Sequence, residues 1–285
     1  MTDWTNRLPA PVLAILAIAF IQLGTATAKD LMTAETALSL LFLRLFIGSI
    51  LLLPFLWSDI FHLSRAQWRD ALLLGLVYGG FSTSVYWALD VLPLGLVATI
   101  GFLGPLMVSL AGARRALDVL WPGLGFAGVL LLAPLGTAGP VTFTGLLFGL
   151  LYAAMWAFYI LTSAKAGGSL PNLTGFALAT TIAALVVAPF GASGAGQFLT
   201  SWTDTLKVMA VAFLSTYPFA MEFLALKRIA PRIYGVLLSL EPGIAALIGL
   251  VLLSELLDAR GWIALVMVSI AATGATLMRN RTGKD

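Results

Sequence analysis

Long apolar runs, separated by short polar connections, are the feature that most limits what this chain can fold into. Of its 285 residues, 60% are apolar and only 10% are Asp, Glu, Lys or Arg. A soluble domain has about 25% charged residues, so these charges are too few to cover a surface exposed to water. The pattern excludes a soluble globular enzyme and predicts an integral membrane protein.

The apolar runs have the length of membrane-spanning helices, which need about 20 apolar residues each. Ten segments meet this criterion: residues 8–28, 36–57, 71–89, 96–113, 119–135, 143–162, 173–192, 206–226, 232–253 and 261–278. The runs are continuous rather than alternating, which favours helices over barrel strands. The first run also has features of a cleaved signal peptide, although it is long enough to span. The sequence therefore predicts an all-α polytopic membrane protein with ten transmembrane helices.

Lysine and arginine residues are divided unevenly between the two sides that ten spans create. Twelve lie on the side that holds both termini, three lie on the other side, and Arg44 lies inside a span. Cytoplasmic loops of membrane proteins are enriched in Lys and Arg. The division predicts that both termini are cytoplasmic.

The two halves of the chain resemble each other. Residues 86–105 align without a gap with residues 223–242, which places Pro105 on Pro242. Because each half has an odd number of spans, the halves must face opposite ways across the membrane. The sequence thus predicts two inverted five-helix repeats, 1–140 (spans 1–5) and 141–285 (spans 6–10). Inverted repeats are typical of secondary transporters, whose substrate site lies near the midplane between the repeats.

One stretch of the second half also resembles a known family. It has Glu241-Pro242 in an apolar helix, then Gly249, Glu255 and a helix start at Gly261-Trp262. Together with the ten-span plan, this pattern is similar to the EamA group of the drug/metabolite transporter superfamily, and most similar to the YddG-type exporters of aromatic and other amino acids. The resemblance implies a transporter of the bacterial inner membrane. It would export small organic solutes, namely amino acids of aromatic or broad range, by alternating access.

Other functions remain open at this stage. A carrier or passive facilitator for a sugar phosphate, a nucleotide sugar or a drug would have the same span pattern, and an intramembrane enzyme is a remote alternative. The chain has no cysteine and a single histidine, His62, so we expect no catalytic residues, no metal site and no cofactor. The expected partners are a small-molecule substrate and membrane lipid, without nucleic acid, and the chain is possibly monomeric.

Polar and aromatic residues inside the spans are the candidates for substrate binding, because each is costly to place in a membrane. Glu241 directly precedes Pro242, which can break a helix beside a carboxylate. Tyr152, Trp156 and Tyr159 form one helical stripe that should face the interior, and a helix break at Gly101 would offer backbone groups to a carboxylate. The predicted substrate-binding residues are Gln22, Tyr78, Ser82, Gly101, Trp156, Tyr159, Tyr217, Ser239 and Glu241.

Each of these residues also has a purely structural interpretation. The Glu241 carboxyl could hydrogen-bond a neighbouring helix, and the aromatic stripes could be core packing. Arg44 and Glu222 lie inside spans as well, where a structural ion pair or an interfacial position would explain them.

Overall fold

The structure is a computed structural model that describes residues 10–56, 60–110, 117–131, 142–171, 173–226, 238 and 240–282. Within these residues it contains α-helices and two short 3₁₀ helices, Ile60–His62 and Ala195–Leu199, and no strand. The α-helices are α1 Ala10–Leu31, α2 Ala37–Leu56, α3 Arg65–Val91, α4 Leu94–Gly101, α5 Leu103–Leu110, α6 Leu117–Leu131, α7 Phe143–Ser169, α8 Thr174–Gly191, α9 Trp202–Leu226, α10 Glu241–Leu253 and α11 Ala259–Thr282.

These helices follow the predicted spans. Five of them (α2, α3, α7, α8 and α9) are long and apolar enough to cross a membrane by length and composition. Helices α4 and α5 together occupy the fourth predicted span and are separated only by Phe102. The prediction of an all-α polytopic membrane protein is confirmed for the described part of the chain.

Local sequence signals explain several helix ends. Ser64 and Gln67 form a capping box at the start of α3, in which each side chain accepts a hydrogen bond from the other residue's backbone N–H. Helix α10 begins at Glu241, and Pro242 lies in its first turn, where a missing N–H leaves no intrahelical bond unmade. After α10 the chain turns at Ser254, which has a φ of 54°.

Helices from the two halves of the sequence pack mainly against each other. Helix α1 lies along α9, and α3 lies along α7. The remaining close pairings are α2 with α8 and with α9, α3 with α8, α6 with α11, α10 with α1 and with α4, and α7 with α4 and with α5. The interior therefore lies between the two halves.

The backbones of the fourth span and α7 approach each other closely at Gly104, where a Cβ atom would lie 2.1 Å from the carbonyl oxygen of Ala153. Because that oxygen belongs to a helix backbone, it cannot move aside easily. We expect Gly104→Ala to destabilise the protein by roughly 1–3 kcal/mol, the usual cost of overpacking. In a thermal-stability assay in detergent this corresponds to a melting temperature lower by about 2–10 °C.

The matched control is Gly168→Ala, because Gly168 is an exposed helical glycine whose added Cβ would meet nothing within 4 Å. This variant should melt at or slightly above the temperature of the parent chain, since alanine favours helix over glycine. Equal melting temperatures for the two variants would contradict the close approach at Gly104.

Candidate functional site

A buried cavity lies between helices of the two halves. Its volume is about 40 Å³, which is room for about three water molecules. Helices α1 to α4 line one side of the cavity, and α7, α9 and the start of α10 line the other. The residues in its wall are Ile18, Ile21, Gln22, Thr25, Arg44, Phe81, Val85, Leu94, Val97, Ala98, Tyr152, Trp156, Phe219, Glu222, Leu238 and Glu241.

A buried hydrogen bond joins the two halves at this cavity. The Gln22 amide nitrogen on α1 donates to the Glu241 carboxyl at 2.7 Å, and both side chains are about 95% buried. Glu241 lies in the first turn of α10, where the helix dipole favours a negative charge. This placement presents a carboxyl group to the cavity without a basic side chain within 4.0 Å of it in the part of the chain that is described.

Arg44 on α2 brings a positive charge to the same cavity. Its Nη2 atom donates to the Tyr78 hydroxyl at 3.0 Å. The guanidinium carbon lies 5.7 Å from the ring centres of both Tyr86 and Phe219, which is within the range of cation–π attraction. Arg44 is 94% buried, so its charge is inside the protein rather than at the membrane interface.

Aromatic rings form one wall of the cavity. Trp156 stacks on Tyr152 with ring centres 5.4 Å apart, and its edge contacts Phe102 at 6.2 Å. Phe81 lies across from them and stacks on Tyr159 at 5.0 Å. The prediction that the α7 stripe faces the interior is confirmed, because Tyr152, Trp156 and Tyr159 are each at least 95% buried.

The structure brings some of the predicted site residues together and separates others. Gln22, Trp156 and Glu241 line the cavity. Tyr78, Ser82 and Tyr159 are buried but do not line it. Instead Tyr78 supports Arg44, and Tyr159 packs behind Phe81.

The other predicted residues have different positions. Gly101 does not line the cavity, because a Cβ atom there would lie 2.0 Å from the Tyr152 ring. Where a helix break was expected at Gly101, the Phe102 N–H bonds to the Ala98 carbonyl oxygen and so is not available to a ligand. Tyr217 is half-buried, stacks on the exposed Phe213 and lies outside the cavity wall. Ser239 lies outside the described residues.

Sequence reasoning left two charged wall residues, Arg44 and Glu222, out of the predicted site. Both were recognisable as ionisable groups inside spans. Their positions in the sequence could not show whether each side chain contacts another protein group or lines a cavity. A structural ion pair was the simpler interpretation. Both are at least 94% buried and line the cavity.

A charged contact joins the two halves next to the cavity wall. The Lys29 ammonium at the end of α1 lies 3.0 Å from Glu255 Oε1, and it also donates to the Leu92 carbonyl oxygen. The other Glu255 oxygen, Oε2, accepts a hydrogen bond of 2.8 Å from the backbone N–H of Leu94. Lys29 lies one turn beyond Thr25 and Leu94 is itself a wall residue, so this contact sits directly at the cavity edge.

The opposite ends of α3 and α7 are tied in a similar way. Lys165 Nζ lies 3.0 Å from an Asp70 carboxylate oxygen. The Gln67 side-chain amide donates to the Ser169 carbonyl oxygen at 2.7 Å. The arrangement as a whole forms a small, mostly apolar space with a few charged and amide groups, between two halves that are joined by polar contacts near both ends. Such a space suits the reversible binding of a small solute.

Comparisons with known proteins agree with this arrangement. The sequence model of the EamA-like transporter family matches residues 8–133 and, separately, residues 143–277. The chain is 36% identical over 286 residues to the threonine/homoserine exporter RhtA of Salmonella typhimurium (strain LT2), covering 99% of this chain and 97% of that protein. It is 35% identical over 275 residues to RhtA of Escherichia coli (strain K12), covering 96% and 93% respectively.

A solved crystal structure supports the fold. It superposes with a TM-score of 0.61 at 21% identity and covers 96% of this chain and 99% of that one. At this identity the likeness supports the helical architecture alone. The two family matches and the full-length relatives go further: the chain is an integral membrane transporter, not an enzyme, and it belongs to the EamA-like transporter family.

Proposed function

We propose that this chain exports small, hydroxylated amino acids of the threonine and homoserine type. The observation that carries the proposal is the enclosed cavity between the halves, whose wall has a guanidinium, two carboxyl groups and an amide. Such a wall can bind the charged ends of an amino acid. The relatives named as threonine/homoserine exporters support this class of substrate.

The size of the cavity favours small amino acids over the aromatic ones that the resemblance to YddG-type exporters implies. It has room for about three water molecules, which is too little for threonine, so it must widen for the substrate to enter. Widening enough for threonine requires less movement than widening enough for an indole or phenyl side chain, because the wall is already filled by the rings of Phe81, Tyr152, Trp156 and Phe219.

The charges in the cavity wall argue against a sugar phosphate or a nucleotide sugar as the substrate. Phosphate groups are usually bound by several basic side chains. Among the described residues Arg44 is the one basic side chain in the wall, which also holds two acids, Glu222 and Glu241. With more acidic than basic side chains, this wall would repel a doubly charged phosphate.

Counterflow in proteoliposomes tests the proposed function. Vesicles loaded with unlabelled threonine should accumulate external labelled threonine transiently, because a carrier exchanges its substrate across the membrane whereas a channel does not. Homoserine inside should support the same accumulation, and glucose 6-phosphate should not. Protein-free vesicles are the control. If threonine, homoserine and phenylalanine all fail to support counterflow, the chain is not an amino acid carrier.

We further propose that the chain is two inverted repeats, 1–140 and 141–285, which alternate in opening the cavity to either side. The helix pairings support it. When each predicted span is exchanged for the span five later, the α1–α9 pair becomes the α7–α3 pair, and the pairs α2–α8, α4–α10 and α6–α11 map onto themselves. The separate family matches to the two halves support the same division.

Both termini should be cytoplasmic, in the bacterial inner membrane, because twelve of the sixteen Lys and Arg residues lie on their side. The chain has no cysteine, so single cysteines can be introduced without background. Cysteines at His62 and at Thr282 should react with a membrane-impermeant thiol reagent in inverted vesicles and stay unlabelled in intact cells. A cysteine at Ser201, at the start of α9, should show the reverse. Labelling of the first two from outside intact cells would contradict this orientation.

A further inference from the structure

Arg44 carries a buried charge that no acidic side chain among the described residues pairs with. It is 94% buried in the middle of α2. In the described part of the chain, no Asp or Glu oxygen lies within 4.0 Å of its nitrogens. Buried charges in proteins are normally paired, and a charge inside a membrane-spanning helix is costly. An unpaired guanidinium at this depth therefore needs a reason.

Within the part of the chain that the structure describes, the hydrogen bonds of Arg44 use few of its donors. A guanidinium has five N–H groups, and one of them donates to the Tyr78 hydroxyl at 3.0 Å. The Tyr86 hydroxyl is close enough to interact with the guanidinium, but it has no hydrogen bond of good geometry among the described residues. The two rings at 5.7 Å hold the guanidinium in place. The remaining N–H groups of the guanidinium form a planar set of donors, and the Arg44 side chain is part of the cavity wall.

Acidic side chains reach the cavity from the second half of the chain. Glu241 enters the same cavity from α10, held by the hydrogen bond from Gln22, and Glu222 enters from α9. The wall thus has a basic group from the first half and acidic groups from the second. An amino acid also has two opposite charges, a carboxylate and an ammonium, and a guanidinium fork matches the two oxygens of a carboxylate.

We propose that Arg44 binds the carboxylate of the transported amino acid, while the acidic side of the cavity binds its ammonium group. Tyr78, Tyr86 and Phe219 are positioning residues that keep the guanidinium facing the cavity. The inference rests on the proposed function, and it identifies the residue that makes the carrier selective for zwitterions. Substrate binding would bridge the two halves, because its carboxylate would meet α2 and its ammonium would meet α9 and α10.

The proposal can be tested with the unmodified protein by letting analogues that lack one of the two charged groups compete with labelled threonine. Threoninamide lacks the carboxylate, and 2,3-dihydroxybutanoate lacks the ammonium. We expect threoninamide to compete roughly 30-fold less well than threonine, which is the loss of about 2 kcal/mol of binding. Dihydroxybutanoate should also compete poorly. If threoninamide competes as well as threonine, Arg44 is not a carboxylate site.

Variants of Arg44 show whether the selectivity resides in this side chain. Arg44→Gln should weaken threonine competition roughly 30-fold and leave threoninamide competition unchanged, so the preference for the carboxylate disappears. Arg44→Lys keeps the charge without the fork and should retain part of the preference. Arg69→Gln is the matched control, because the Arg69 side chain is 72% exposed and lies outside the cavity wall.

The outcomes separate this inference from the proposed function. Equal losses of threonine and threoninamide competition in Arg44→Gln would show that Arg44 only supports the packing of α2, and would overturn the inference while amino acid transport stands. Absence of threonine counterflow in the parent chain would overturn the proposed function instead. If Arg44→Gln does not fold, the analogue competition with the unmodified protein decides the matter.

Discussion

Replacing Trp156 by alanine is expected to weaken threonine binding roughly 30-fold, because truncating an aromatic anchor in a binding cavity typically costs about 2 kcal/mol or more. Trp156 is 96% buried and lines the cavity, where it stacks on Tyr152 at 5.4 Å. Its indole therefore limits the volume that a substrate can occupy. The same truncation should reduce the preference for threonine over phenylalanine, since the space left by the indole suits a larger side chain.

Competition against labelled threonine in proteoliposomes measures both effects. Phe158→Ala is the matched control, because Phe158 lies on the same helix and is 52% exposed, so its truncation removes an aromatic ring without touching the cavity. That variant should bind threonine as the parent chain does. A Trp156→Ala protein that reaches the membrane and keeps both its affinity and its selectivity would show that Trp156 is ordinary core packing.

The positions of the helices were predictable from the sequence for a physical reason. A backbone inside a membrane must satisfy its own hydrogen bonds, so a continuous apolar run of sufficient length has few alternatives to a helix. The ends were less predictable. Helix α7 continues to Ser169 rather than ending at residue 162, because a helix can extend past the apolar core and carry Lys165 into contact with Asp70.

The cavity was only partly predictable. Helical periodicity showed that Tyr78, Trp156 and Tyr159 share interior faces, and all three are buried. The interior face of a helix, however, contains both residues that pack against other helices and residues that line the cavity. The rotation of each helix about its axis determines which residues line the cavity. Trp156 reaches the cavity, whereas the Tyr159 ring stacks on Phe81.

The roles of the charged residues were also only partly predictable from the sequence. The cost of a charge in a membrane marked Arg44 and Glu222 as residues that need a reason. It could not show whether that reason is a partner in the protein or a ligand. Only the fold, which places α2, α9 and α10 around one cavity, brings Arg44, Glu222 and Glu241 into a single wall.

Breaking the contact between Lys29 and Glu255 is expected to open the cavity on their side about tenfold more often. The two side chains are only 20% and 17% exposed. They join the end of α1 to the connection that follows α10, next to the wall residue Leu94. Partly buried pairs are screened less by salt than surface pairs, and an interaction of about 1.4 kcal/mol that is present only in the closed state changes the open population tenfold.

A cysteine introduced at Ala98 reports this opening, because Ala98 is buried in the cavity wall and the chain has no other cysteine. Its reaction rate with an impermeant thiol reagent, applied from the Lys29 side, should rise about tenfold in Lys29→Met and in Glu255→Gln. The double variant should react no faster than either single variant, since both changes remove the same interaction. Threonine counterflow should slow in all three, because an exchange cycle requires closure at this end.

Lys207→Met is the matched control for this experiment. It removes an ion pair with Asp30 at the same end of the molecule, but those side chains are 43% and 58% exposed, and exposed pairs contribute little. Its Ala98 cysteine should therefore react as slowly as in the parent chain. If Lys29→Met, Glu255→Gln and Lys207→Met all leave the labelling rate unchanged, the Lys29–Glu255 pair fastens a rigid end of the bundle, and the cavity must open elsewhere. If the labelling rate rises only in Lys29→Met and Glu255→Gln, this contact between α1 and the α10–α11 connection controls how often the cavity opens to solvent on this side.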